Sequence, residues 1–150
     1  MDTIFTSQVA REFSKSGKIE EWIHLFLQDE GNNIPFSDGL KLEKRFYIGP
    51  IKMPLNLFSR CCGPEENMKY KLSFEGFQDR VSRILQRLES GWDMPPLIIS
   101  FVNNGFELND GNHRFEALSH FGVSEFDIII WITKQEDYER FLEVYSSYLE

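Results

Sequence analysis

Pro95-Pro-Leu-Ile-Ile-Ser-Phe-Val-Asn-Asn-Gly-Phe-Glu-Leu-Asn-Asp-Gly-Asn-His-Arg114 is the stretch from which the fold is read. Two prolines that cannot continue a helix precede Leu97–Val102, an apolar run interrupted only by Ser100. Asn103-Asn104-Gly105 marks a turn, because Asn and Gly tolerate positive φ, and Phe106–Leu108 starts a returning strand. Asp110-Gly111 breaks that strand, and a helical pattern opens at Asn112. Phe115, Leu118 and Phe121 recur at helical spacing with Ala117 beside them, and Gly122 supplies a stop. Strand, hairpin, strand, glycine turn and helix follow in that order. Such a turn leaves backbone N–H groups unpaired at a helix N-terminus, with Gly111 allowing close approach and Arg114 in the first turn. These are the ingredients of a phosphate site. The same residues also fit a plain turn, with Asp110 capping the helix and Arg114 on the surface.

Working outward, Phe74–Glu89 is an amphipathic helix with Phe77, Val81, Ile84, Leu85 and Leu88 on its apolar face. Arg80, Arg83 and Arg87 fall within an arc of about 60° beside that face. They form either an anion-binding flank or a solvated flank pairing with surface acids. Phe126–Thr133 is an apolar run expected to lie as a buried strand beside Leu97–Val102. Thr133-Lys134-Gln135-Glu136 fits a capping box with Thr133 at the cap. The helix after it carries Tyr138, Phe141, Leu142, Tyr145 and Leu149 on one face.

Toward the N-terminus, residues 7–14 suggest a short helix, and Lys18–Glu30 a strong one through Ile19, Trp22, Ile23, Phe26 and Leu27. Asn32–Gly39 reads as loop, and Arg45–Ile48 as a brief strand cut off by Gly49-Pro50. The long irregular stretch 32–72 is of the kind that forms lids or binding segments.

A chain of 150 residues with 41% hydrophobic content and 14 Phe suits one folded domain. The net charge of −8 argues against non-specific DNA binding, which needs a basic surface, but leaves room for a local basic pocket. No apolar run reaches membrane-spanning length, and the first residues lack a secretory leader's pattern, so a cytoplasmic protein is expected. Cys61 and Cys62, the only cysteines, are read as reduced thiols. No spacing of Cys or His indicates a metal site, and His24 and His120 have no partner in the sequence.

Asp110-Gly111-Asn112-His113-Arg114, after a hairpin and before a short helix, resembles the phosphate-binding box of the ParB/sulfiredoxin fold family, a Gly-x-x-Arg turn often preceded by Asp and containing His. Pro96-Leu97-Ile98-Ile99 is similar to the family's Pro-Ile-rich strand, Gly105–Leu108 to its return strand and Asp127–Ile132 to the next one. The resemblance covers residues 72–133. It implies an α+β fold, a small mixed sheet with surrounding helices. Residues 1–71 would form a helical and irregular extension, and 134–150 a C-terminal helix.

The resemblance also implies function. In sulfiredoxins the residue after the turn glycine is the catalytic cysteine; here it is Asn112, with Cys61-Cys62 far away in sequence, so sulfiredoxin activity is not expected. Partition-type members bind CTP but carry further DNA-binding and dimer domains for which this chain has no room. Small-molecule kinases of the fold use a glutamate as base. The expectation is therefore a nucleotide site for CTP, ATP or ADP, with or without Mg²⁺. Asp110, Gly111, Asn112, His113 and Arg114 would bind, helped by Arg83 and Arg87. His113, Glu89, Asp93 and Glu107 are the candidates for nucleotide hydrolysis or phosphoryl transfer. An interaction module on the same scaffold and a nuclease-like protein are the alternatives; the acidic balance argues against the latter. The sequence assigns no oligomeric state.

Overall fold

Two apolar runs, one on each side of the glycine turn, lie side by side. β4 (Leu97–Val102) and β6 (Glu125–Ile132) pair in parallel, with Leu97 opposite Ile128 and Ser100 opposite Trp131. β5 (Gly105–Asp110) returns antiparallel to β4 through a hairpin in which Asn103 and Asn104 take φ of 50° and 65°. β1 (Phe46–Pro54) runs antiparallel to the other side of β6. The result is a four-stranded mixed sheet in the order β1-β6-β4-β5. A two-residue parallel pair, β2 (Cys62–Gly63) and β3 (Tyr70–Lys71), stands apart from it. The computed structural model describes residues 3–149.

Helices cover both faces, which is why β4 and β6 are apolar at nearly every position rather than alternating. Successive side chains point to opposite sides. Ile98 and Ile129 pack with Ala10, Trp22, Ile23, Phe26 and Leu27 on one side. These come from α1 (Ser7–Lys15) and α2 (Ile19–Gln28), joined there by Leu40 of α3 (Ile34–Leu40). Leu97, Ile99, Ile128 and Ile130 face the other side, against Phe77, Val81 and Ile84 of α4 (Phe74–Glu89). Ala117 and Leu118 of α5 (Asn112–His120) and Phe141 of α6 (Gln135–Tyr145) complete that core. The fold class is α+β, and the N-terminal stretch supplies one whole helical layer and an edge strand.

Four local expectations are corrected. Residues 34–40 form α3 instead of a loop, with Asn33 capping the Phe36 N–H and Pro35 in the first turn, where a missing N–H costs no hydrogen bond. β1 is not cut off at Gly49-Pro50. It passes through with a register shift between Ile48 and Ile51, and Gly49 sits at φ 109° where a Cβ would strike the Ile128 carbonyl. Thr133 does not cap α6: the cap position is Lys134, without a side-chain bond, and Thr133 Oγ1 accepts instead from Arg45 at 2.5 Å. Phe121 closes α5 on the exposed side, not in the core.

Candidate functional site

The left-handed conformation of Gly111, φ 107°, turns the end of β5 directly into α5. A Cβ there would come within 2.7 Å of Leu97 Cδ2 and 2.9 Å of Arg114 Nη2, so both backbone and space call for glycine. Asp110 does not cap the helix. No side chain among the described residues caps α5, and its first turn opens into a cleft of about 710 Å³. Gly111, Asn112 and His113 line one wall; Arg80, Arg83 and Arg87 of α4 line another; the α2–α3 connection, Glu30 to Asn33, borders the cleft as well. The arginine flank read from helical spacing therefore faces this cleft and not only bulk solvent.

Arg114 has a different position from the surface ligand the motif implies. It is buried, with Nη1 donating to the carbonyls of Pro95 at 2.6 Å and Pro96 at 2.9 Å, and Nη2 to Asp110 Oδ2 at 2.9 Å. It ties the start of β4 to the turn. Burial works against both charges, pushing the Asp110 carboxyl up and the Arg114 guanidinium down, while their mutual attraction offsets it. Asp110 also accepts from Asn33 Nδ2 at 3.5 Å, which joins the α2–α3 connection to the turn.

Asn112 is likewise turned inward. Its Oδ1 accepts from the Cys61 N–H at 2.8 Å and the Cys62 N–H at 3.2 Å, and its Nδ2 donates to Leu108 O at 3.1 Å. Cys61 and Cys62, remote in sequence, are thus held against the first residue of α5, and Cys62 lines the cleft. Burial, with the neighbouring thiol adding to it, pushes the Cys62 thiol up to about 11. Arg60 fixes the same loop, donating to Cys62 O at 3.0 Å and Glu116 Oε1 at 2.9 Å.

His113 packs on Phe77, ring centroids 4.9 Å apart, and the Arg60 guanidinium lies 4.8 Å from the centroid of the same Phe77 ring. Partial burial, then Arg80 and Arg60, lower its pKa to about 4, so it is a neutral imidazole at pH 7. At the other end of the arginine wall, Arg87 stacks on Trp92 at 3.5 Å, and the Trp92 indole N–H is buried without a hydrogen-bond partner among the described residues.

The proposed acids are placed elsewhere. Glu89 is exposed at the end of α4 and does not line the cleft. Asp93 Oδ2 accepts from the Gln8 N–H at 3.2 Å, tying α1 to the chain before β4. Glu107 pairs with Lys69 at 2.9 Å on the outer strand. Besides Asp110, the carboxylate that does line the cleft is Glu30, which reads in sequence only as the polar end of a helix. Asn33 and Cys62 are equally invisible as cleft residues in the linear order. No cluster of three or more His, Cys, Asp or Glu able to hold a metal occurs among the described residues.

No protein-family model matches the chain, and no curated protein matches it. Among solved structures, sulfiredoxin from Arabidopsis thaliana is similar over 65% of this chain and 97% of that one, at 17% identity and a TM-score of 0.40. At that level of similarity the fold class rests on the strand order and layers described above. No described helix is long and apolar enough to cross a membrane.

Proposed function

We propose that the cleft binds the phosphate groups of a nucleotide. The observation that carries this reading is the uncapped, glycine-initiated N-terminus of α5 opening into a cleft that Arg80, Arg83 and Arg87 also line. Free N–H groups at a helix start and guanidinium groups favour the same charge. In a protein of net charge −8, such a local concentration of positive potential favours an anion that reaches it there. Trp92 borders the same end of the cleft and carries the stacked Arg87 guanidinium. Arg114 and Asn112 act as supports that fix the turn, and Gly111 and His113 border the ligand.

The residues fit phosphate better than they fit a protein-held metal. A Mg²⁺ ion would arrive on the phosphates and be held chiefly by them, with Glu30 as the carboxylate at hand. Hydrolysis or phosphoryl transfer, if the site performs either, would call on Glu30 rather than on Glu89, Asp93 or Glu107.

The test is a thermal-shift and calorimetric panel of ATP, ADP, CTP, a nucleoside and inorganic tripolyphosphate, each with and without Mg²⁺. Saturable binding of a nucleotide, absent for the nucleoside, is expected; at a concentration about 100 times Kd it stabilises the fold by about 2.7 kcal/mol. Absence of binding across the panel removes the reading and leaves the interaction module.

A further inference from the structure

The Cys61–Cys62 pair is not used by the phosphate reading, yet it stands where it can affect it. The two Sγ atoms are 3.8 Å apart, neither cysteine is fully buried, and Cys62 lines the cleft. The peptide between them is pinned from several directions. Both N–H groups converge on Asn112 Oδ1, Cys61 O accepts from the Tyr70 N–H at 2.9 Å, and Cys62 O accepts from Arg60.

We propose that Cys61 and Cys62 form a redox-modification site on the cleft wall, which a hydroperoxide converts to a disulfide, freeing their loop from Asn112 and weakening the anion site. The effect on binding rests on the proposed function; the disulfide and the loop release do not.

The coupling follows from covalent geometry. Adjacent Cα atoms across a trans peptide are about 3.8 Å apart, less than the roughly 4.4–6.8 Å that a disulfide usually spans. Joining neighbouring cysteines therefore forces the intervening peptide to turn. That peptide cannot turn while its one N–H, that of Cys62, stays on Asn112 beside the Cys61 N–H of the preceding peptide. Once they leave, Asn112 Oδ1 is a buried acceptor without a donor, and the first residue of α5 loses the contact that holds it. A disulfide formed under such constraint is readily reduced, so the change is reversible by thiols.

The chemistry balances with the peroxide as the oxidant. A thiolate attacks one peroxide oxygen, giving a sulfenic acid and hydroxide. The second thiol attacks the sulfenic sulfur and expels water, its proton and that of the first thiol leaving in the two waters formed. The balance and the product are the same whichever of the two sulfurs attacks first.

The experiment treats the whole chain with limiting hydrogen peroxide. It then measures intact mass, oligomeric state on non-reducing gels, amide hydrogen exchange at residues 61–62, and affinity for tripolyphosphate and the nucleotide found to bind. Expected are a monomer lighter by two hydrogens, faster exchange at both amides, and affinity lower by about tenfold, all restored by dithiothreitol. Cys61 Sγ donates to Leu108 O at 3.1 Å; Cys61→Ser keeps a donor there and is expected to bind as the reduced protein does and to ignore peroxide. Sulfinic acid or cross-linked dimers in place of the internal disulfide overturn the proposal, as does a disulfide that leaves amide exchange and affinity unchanged. If the reduced protein binds no anion, the proposed function falls, while mass and amide exchange still decide whether the loop is released.

Discussion

Arg114 shows how a residue read from a phosphate-type turn can be committed to the fold itself. Its guanidinium is spent on two proline carbonyls and the Asp110 carboxylate. Arg114→Ala strands a buried carboxylate and two carbonyls, and the expected loss is about 3 kcal/mol of stability. For a chain of this size that corresponds to a fall in Tm of about 10 °C, measurable by calorimetry. A variant that melts like wild type but loses nucleotide affinity would show instead that the side chain reaches the ligand. His113 gives a prediction in pH. Its folded pKa, about 4, lies below its ordinary 6.5, so the folded chain binds this proton less readily than the unfolded chain. The stability it contributes is complete above pH 6.5 and is lost as pH falls toward 4; His113→Asn should flatten that part of the stability profile. Saturating phosphate ligand brings negative charge beside the ring and should move its NMR titration midpoint upward. A free-protein midpoint near 6.5 would contradict the burial seen at this position.

At the scale of elements, α4 tests the cleft. Arg83 and Arg87 are exposed, so replacing both by Gln should cost folding only about 1 kcal/mol, since Arg83 gives up an exposed pair with Asp79 and Arg87 its stacking on Trp92. Affinity at low salt should fall about tenfold, and the salt dependence of binding should become shallower, because exposed charges act over ~8–10 Å near physiological ionic strength. Equal slopes for both proteins would return the arginines to the role of a solvated flank. α4 was legible to the residue because five apolar side chains recur at one period between Ser73 and Gly91. β4, β5, α5 and β6 were legible because Gly and Asn mark each change of direction. α3 was not, since Pro35 and Gly39 within a short segment hide a helix that Asn33 caps and Leu40 anchors in the core. β1 was shortened because Gly-Pro usually ends a strand, whereas here a bulge absorbs it against β6. The cleft itself was half legible. Local spacing gathers the glycine turn and the arginines, but only tertiary packing decides that Glu30 and Cys62 join them and that Asp93 goes to α1.

For the whole molecule, the decisive arrangement is a sheet whose central strands, β4 and β6, are covered on both faces. Ile98 and Ile99 are consecutive yet belong to different cores. Each replaced by Ala should cost about 2–5 kcal/mol, the range for a buried aliphatic truncation, measured by denaturant unfolding. A sheet covered on one side only would show one large and one small loss. The same arrangement has a consequence for how the chain is made. β1 pairs only with β6, and the helices at residues 7–40 rest on Ile98 and Ile129, both far downstream. As the polypeptide leaves the ribosome, Trp22, Phe26 and Leu27 emerge long before anything exists for them to rest on. The central strand β6 is the last of the four sheet strands in chain order. Sheet assembly must therefore wait for β6 and close long loops at once, which makes for slow folding. During that wait the early helices are natural clients for a chaperone that shields apolar surface.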